Sequence, residues 1–211
     1  VRCNQYLKFG ALLKKAKLLD ADFLATGHYA RIAFNRRINK FLLKKAKDSN
    51  RDQSYFLYRL TQRQLRYILM PLGEYTKEEV RQFARRFNLP IADKPGSQEI
   101  CFIPNNNYRE FILSRFKGEI KEGDIVDTQG NILGRHRGIC FYTIGQREGL
   151  GIAHKYPLYI IGIDKKHNRI IVGPREETYR YEFFVKDFNF IHSNIPPRGV
   201  VLNVKIRYNN I

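Results

Sequence analysis

Cysteine is scarce in this 211-residue chain, and the three present, Cys3, Cys101 and Cys140, lie far apart. That count and spacing exclude the disulfide framework of small secreted domains and the paired-knuckle pattern of structural zinc. An intracellular protein with one or two reactive thiols is the natural reading. Long apolar runs are also missing. The longest, Leu158 to Ile163, is far too short to cross a bilayer, which takes about 20 residues. No internal repeat and no low-complexity tract is found. The opening Val1-Arg2-Cys3-Asn4 has neither an initiator methionine nor a charged-then-apolar leader, and it reads as a cut in a longer chain. Acidic residues are outnumbered: 20 Asp plus Glu stand against 38 Lys plus Arg, for a formal net charge of +18.

The excess of base is spread along the chain: Lys14-Lys15 with Lys17, Arg36-Arg37, Lys44-Lys45 with Lys47, Arg81 with Arg85-Arg86, and Lys165-Lys166. A folded chain of this kind carries a broad positive field. The usual partner is a polyphosphate, because release of condensed counterions drives binding. A solvated basic surface that only aids solubility is the alternative. An acidic membrane is a weaker third option, since no Lys/Arg-rich segment carries bulky apolar anchors. Hydrophobic residues make up 43%, enough for one large domain or two smaller ones with real cores.

Residues 5–19 read as a helix, with Phe9, Leu12, Leu13, Ala16 and Leu19 at three- and four-residue steps. Asp20-Ala21-Asp22 breaks it, and Phe23-Leu24-Ala25-Thr26 is a short apolar run ending at Gly27-His28. A helix, a buried strand and a glycine loop make a piece of an α/β unit, whose ligands sit beyond the carboxyl ends of its strands. Residues 29–34 and 41–46 predict a hairpin around Asn35-Arg36-Arg37-Ile38-Asn39. The polar cluster from Asp48 to Gln53 opens a helix, in which Arg51, Asp52 and Gln53 are first-turn residues on the plainest reading. Thr76 with Glu79 is a capping box for a helix with Val80, Phe83, Ala84 and Phe87 inward and Arg81, Arg85 and Arg86 outward. Residues 108–116 form a short helix with Tyr108, Phe111, Ile112 and Phe116 on one side.

From Gly118 the texture changes. Short strands are predicted near 123–127, 129–133, 138–143, 158–163 and 170–173, a small all-β barrel or sandwich. Residues 183–191 and 200–208 are two more strands, after a break near Glu176-Glu177.

The stretch from Lys94 to Pro104 places Cys101 between Ile100 and Phe102, just after a Pro-Gly turn. A loop entering a brief strand can hold a side chain at a site mouth, although most free cysteines are small buried hydrophobes. His28 on its strand-end loop is a site residue or a structural loop residue. Cys140 reads as packing inside a strand, and His136, His154, His167 and His192 as ordinary surface or loop residues.

Read together, several blocks resemble one family: Cys3-Asn4 with Leu7-Lys8-Phe9, Ala25-Thr26-Gly27-His28-Tyr29, Arg51-Asp52-Gln53-Ser54-Tyr55-Phe56-Leu57, Ser97-Gln98-Glu99-Ile100-Cys101-Phe102-Ile103, and Tyr142-Thr143-Ile144-Gly145-Gln146-Arg147-Glu148-Gly149-Leu150-Gly151. In this order they look like the tRNA-specific 2-thiouridylases of the MnmA/TrmU type, over nearly the whole chain. The resemblance implies an α/β plus β fold. Residues 1–66 and 90–112 would be the C-terminal part of an adenine-nucleotide alpha hydrolase-like (PP-loop) ATP-binding domain. Residues 67–89 and 113–176 would be a central tRNA-binding domain with β-barrel character, and 177–211 the start of a C-terminal β-barrel.

The resemblance also implies a reaction, the ATP-dependent 2-thiolation of the wobble uridine of tRNA. The base is activated by adenylation and sulfur comes from a cysteine persulfide. Carried over by position, Cys101 looks like the persulfide carrier and Cys3 like its catalytic partner, the two ending in a disulfide. Gly27 falls where the family contacts ATP. His28, Arg51, Asp52, Gln53, Arg207 and Tyr208 fall where it contacts tRNA. Magnesium is expected with the ATP, and no metal bound by this chain. A sulfur-relay protein is the expected donor, with no membrane partner and a cytoplasmic setting or that of an organellar homologue. Thiolate chemistry suits the residue types, because a soft nucleophile can hold an extra sulfur and a second thiol can release it by exchange.

The sequence departs from the family in lacking its Ser-Gly-Gly-x-Asp-Ser pyrophosphate loop, and Gly96 stands where an acidic residue is common. As written, the chain is expected to be a fragment and inactive by itself. A non-catalytic basic RNA-binding module is the competing reading. A thiol redox protein is a third, but there is no Cys-x-x-Cys and it leaves the charge unexplained.

Overall fold

A helix opens the chain, wound in the π manner over Cys3–Leu12 and continuing as α1 over Leu13–Leu18. Phe9 and Leu13 are its buried apolar side chains, and the lysines that follow keep their charges near solvent. It ends where Asp20 takes a positive φ of 54°, a conformation Asp tolerates. The computed structural model describes residues 1–93, 103, 107–116, 118–191 and 199–206. Two units divide the chain: Val1–Pro95 with Val185–Ile211, and Gly96–Phe184.

In the first unit, β1 (Leu24–Ala25) pairs in parallel with β4 (Ile68–Leu69), Leu24 opposite Ile68. A parallel pair needs a long connection. Here it is made by a hairpin, β2 (Ala30–Asn35) against β3 (Lys40–Lys45), then a 3-10 turn at Ser54–Leu57 and the short helix α2 (Gln62–Leu65). The hairpin turns through Asn39 at φ 50°, and Phe34 faces Phe41 across it with ring centroids 4.9 Å apart. The helix expected after Asp48 is therefore only a single tight turn.

The capping box at Thr76 forms as expected: Glu79 N–H donates to the Thr76 hydroxyl and Thr76 N–H donates to the Glu79 carboxylate, starting α3 (Lys77–Arg86). Lys47 donates to the same carboxylate at 2.7 Å and, with Thr76, holds its pKa at about 2. The sequence reading missed the second such box, Thr61 with Gln64 at α2, whose pattern is Thr-x-x-Gln. It also put the α3 apolar face inward. Val80 and Ala84 are only half-buried, Phe83 meets the Tyr75 ring at 5.0 Å between centroids but stays partly exposed, and Phe87 is exposed. Phe9, Ala30, Leu57, Leu60, Leu65, Ile68 and Met70 form the core, drawn from the opening helix, β2, the 3-10 turn, α2, β4 and the segments beside them.

The second unit starts with α4 (Tyr108–Arg115), capped by the Asn107 side chain accepting from Glu110 N–H at 3.1 Å. A four-stranded sheet follows in the order β6-β5-β8-β7. Its strands are β5 (Gly123–Val126), β6 (Ile132–His136), β7 (Tyr159–Asp164) and β8 (Arg169–Gly173). Neighbours β5 and β8 are parallel and the outer pairs antiparallel. Among the described residues the sheet is not closed into a barrel. Ile125, Ile160, Ile170 and Val172 are fully buried at its centre. Gly123 is required by close approach: a Cβ there would lie 2.1 Å from the Asn168 carbonyl oxygen.

Three expectations are corrected here. Residues 138–143 are not a strand. Gly138 takes φ 125° and Ile139–Phe141 close a 3-10 turn, which leaves Cys140 exposed rather than packed. His136 is no surface residue: it is fully buried, its Nδ1 accepting from Gly138 N–H at 3.0 Å and its Nε2 bonded to the Asn168 carbonyl at 2.9 Å. Residues 183–191 and 199–206 form no strand pairing among the described residues. Their backbone is instead engaged by side chains, as where Gln62 Nε2 donates to the Ile191 carbonyl and Tyr55 to that of Ile206.

Candidate functional site

Cys3 sits in the first turn of the opening helix as a half-buried free thiol. The next residue, Asn4, is buried, and its side-chain amide donates to the Phe56 carbonyl at 3.3 Å. This bond ties the start of the helix to the segment that follows Arg51. That segment is stitched in turn to the loop after β1. Gln53 N–H donates to the Tyr29 carbonyl at 2.8 Å, and Tyr29 N–H donates to Gln53 Oε1 at 2.9 Å. Asp52 Oδ1 accepts from Ala46 N–H at 2.8 Å, and Oδ2 from the Ser54 hydroxyl at 2.7 Å. Three blocks remote in sequence, around Cys3, His28 and Arg51, are thereby linked within one unit.

The same bonds sort the Arg51-Asp52-Gln53 segment by availability. The Asp52 carboxylate and the Gln53 carbonyl oxygen are occupied in holding the loop, while the Arg51 side chain is exposed.

Thr26 N–H donates to the Leu69 carbonyl at 2.9 Å and extends the parallel pairing one step, so Gly27 and His28 stand just past the carboxyl end of β1. Gly27 is exposed. A Cβ there would meet only Leu72 Cδ1, at 3.5 Å, an ordinary contact. The fold itself does not demand glycine at this position. His28 is 7% exposed, its Nδ1 is 2.7 Å from the Thr26 hydroxyl, and its ring lies 5.6 Å from that of Phe9. Burial, helped by the charge of Lys8, lowers its pKa to about 4. At neutral pH it is therefore an uncharged imidazole.

Sequence reasoning passed over two neighbours. Tyr29 is buried, and its hydroxyl makes no hydrogen bond among the described residues; the Nε of Arg81 on α3 is likewise buried without one. Burial and Asp48 raise the Tyr29 pKa, while Arg51 and Arg81 oppose them, which places all four in one electrostatic neighbourhood. The signal was present in Tyr29 closing the Ala25–Tyr29 block and in the charge on the outer face of α3.

Cys101, Arg207 and Tyr208 lie outside the described residues. Because Cys3 is a free thiol, the disulfide implied by the resemblance is not borne out. Among the described residues no cluster of three or more His, Cys, Asp or Glu side chains is placed to hold a metal ion, and no helix is long and apolar enough to cross a membrane.

Comparison with known proteins adds an independent line. Residues 1–105 match the tRNA methyl transferase HUP domain, and residues 109–174 match the tRNA methyl transferase PRC-barrel domain. The chain is 50% identical over 210 residues to the tRNA-specific 2-thiouridylase MnmA of Halothermothrix orenii, covering 100% of this chain and 58% of that protein. It is 48% identical over 209 residues to the protein of the same name from Carboxydothermus hydrogenoformans, covering 99% of this chain and 57% of that one. Identity to the Natranaerobius thermophilus MnmA is 47% over 210 residues, with 100% and 57% covered. The chain thus spans under three fifths of the length of these curated relatives.

Proposed function

We propose that this chain, which belongs to the family of tRNA methyl transferase HUP and PRC-barrel domain proteins with the MnmA 2-thiouridylases among its members, serves the ATP-dependent 2-thiolation of the wobble uridine of tRNA. The observation that carries the proposal is the linkage of the Cys3, His28 and Arg51 blocks, through Asn4–Phe56 and Gln53–Tyr29, at the carboxyl end of a parallel strand pair. In open α/β sheets that end is where ligands bind.

Each residue has a task in this reading. ATP, with magnesium, supplies the activation that makes the uridine C2 oxygen a leaving group. Gly27, exposed and free of any steric demand of the fold, gives an edge that a nucleotide can approach closely. The phosphate-cradling Ser-Gly-Gly-x-Asp-Ser loop is not among the residues of this sequence. Cys101 carries the persulfide, loaded by a sulfur-relay protein. Its terminal sulfur attacks C2 and displaces the activated oxygen, and the Cys3 thiolate then attacks the Cys101 Sγ. The S–S bond to the base breaks, its electron pair stays on the new thiocarbonyl sulfur, and a Cys3–Cys101 disulfide forms. Neutral His28 offers a hydrogen bond to RNA rather than a charge. Arg51 offers the charge, and Asp52 and Gln53 hold it in place. Arg207 and Tyr208 complete the RNA contacts. The three-domain division and the cytoplasmic setting expected from the sequence belong to the same proposal.

The net charge of +18, without the pyrophosphate loop, favours a second reading, a basic RNA-binding module with no catalysis of its own. One experiment separates the two. Protein carrying the residues by which the curated relatives are longer is incubated with unmodified tRNA, ATP and a sulfur donor, and the digested nucleosides are analysed by mass spectrometry. The thiolase reading expects 2-thiouridine that vanishes in Cys101→Ser and Cys3→Ser while tRNA binding persists. Binding without sulfur in the wild type leaves the binding module standing.

A further inference from the structure

A cleft in the first unit is lined by residues that take no part in the site above. The cleft has a volume of about 710 Å³ and is walled by Lys17, Arg63 and Arg66 and by the rings of Phe34, Phe41 and Tyr67. Its position is distinct. His28 follows the carboxyl end of β1, whereas Tyr67 precedes the amino end of β4 and accepts Leu24 N–H at 2.8 Å. The cleft therefore lies at the opposite end of the parallel pair.

Its chemistry is specific. Lys17 Nζ sits 3.1 Å from the centroid of the Tyr67 ring, and the Arg66 guanidinium 5.7 Å from it. The ring gathers cations that would otherwise spread apart. Among the described residues no carboxylate lies within ion-pairing distance of Lys17, Arg63 or Arg66. Phe34 is 49% exposed, and its ring is held against Phe41 across the hairpin. Gln62 pins the hairpin to α2, accepting from Phe41 N–H at 2.8 Å and donating to the Phe41 carbonyl at 2.7 Å. The cleft is thus a braced feature, with an open aromatic face beside unneutralised positive charge.

We infer that this cleft binds an unpaired nucleotide of RNA, its base stacked on Phe34 and its phosphates held by Arg63, Arg66 and Lys17. Splayed bases on aromatic faces beside a cationic track are the common mode of single-stranded recognition. The volume falls within the range of small-ligand sites, about 300 to 1,000 Å³. An acidic peptide would satisfy the cations but leave the open phenylalanine face unused. The inference rests on the tRNA reading only in naming tRNA as the source of that nucleotide.

The test measures binding of fluorescein-labelled hexauridylate and of unmodified tRNA to the 211-residue chain by anisotropy, at roughly 50 to 200 mM salt. The exposed Arg63 and Arg66 are replaced together by Ala, and Phe34 by Ala and by Leu, the latter keeping the apolar contact with Phe41 while removing the π face. Expected are about tenfold weaker hexauridylate binding for both Phe34 variants with the salt dependence unchanged, and a salt slope lowered by about 2 for the double arginine variant. Wild-type binding of hexauridylate by all three variants overturns the inference. So does tight binding of polyglutamate that the arginine changes abolish and the Phe34 changes leave intact. If tRNA binds equally to all variants, the cleft fails and the tRNA reading stands. If hexauridylate binds as expected and tRNA does not, the tRNA reading fails and the cleft stands.

Discussion

The two units treat their buried polar groups in opposite ways. Among the described residues of the Gly96–Phe184 unit the one fully buried polar side chain, His136, has both ring nitrogens engaged, one by Gly138 and one by Asn168. In the other unit, Asn4 and His28 are buried with bonds to the Phe56 carbonyl and the Thr26 hydroxyl, but the Tyr29 hydroxyl and Arg81 Nε are buried without a hydrogen bond among the described residues. Satisfied buried polar groups fix a structure, whereas unmet ones destabilise it and gather where something else is to be bound. The contrast extends to the cores. One is the face of a regular four-stranded sheet, and the other is a meeting point of short elements. The candidate residues that the structure describes, Cys3, Gly27, His28, Arg51, Asp52 and Gln53, all fall in the less regular unit.

The strongest way to break this comparison is to damage each core separately. Ile160→Ala is expected to cost the sheet unit about 2–5 kcal/mol, and Leu65→Ala a similar amount in the other. Urea unfolding followed by hydrogen exchange should show each loss confined to its own unit. A single transition shifted equally by both changes would dissolve the contrast. Next in size is His136→Ala, which leaves Gly138 N–H and the Asn168 carbonyl unpaired in the interior at about 2–3 kcal/mol. Thermal unfolding should record that loss with RNA binding unchanged. If His136→Ala instead weakened RNA binding at constant stability, its role would be in the site.

A third prediction concerns pH. The folded pKa of His28, about 4, lies below the ordinary value of 6.5. Between the two the unfolded chain binds a proton that the folded one does not, so stability is full above about pH 6.5 and falls as pH drops towards 4. The loss is on the order of 3 kcal/mol, and His28→Gln should flatten that part of the profile. A profile unchanged by the substitution would place the histidine in water.

The smallest effect sharpens the contrast inside one segment. Gln53→Ala removes the side-chain half of the clasp on Tyr29 and should cost about 1 kcal/mol in denaturant titration. Arg51→Ala should leave stability alone and lower the salt slope of tRNA binding by about 1. Equal behaviour of the two would undo the division between a holding residue and a contacting one.

Much of the regular structure was legible in the sequence because its signals are local. Thr76 with Glu79 marks a helix start through bonds spanning three residues, and Asn35 to Asn39 mark a turn through backbone preference. The misreadings came where a distant partner decides. Residues 138–143 carry the residue types of a strand, but Gly138 at φ 125° turns them into a 3-10 turn and puts Cys140 in solvent. His136 looked like a surface residue because nothing in its local sequence announces the Asn168 carbonyl 32 positions away.

For the candidate site the division is the same. The order of its blocks, the family they belong to, and the excess of positive charge were determined by the sequence alone, since they depend on residue type and spacing. That Asp52 and Gln53 are occupied while Arg51 is exposed, that His28 is uncharged, and that a cationic aromatic cleft lies at the far end of the strand pair were decided only by the tertiary structure. Burial and hydrogen bonding belong to pairs of groups brought together by folding. A linear sequence names the groups but not the pairs.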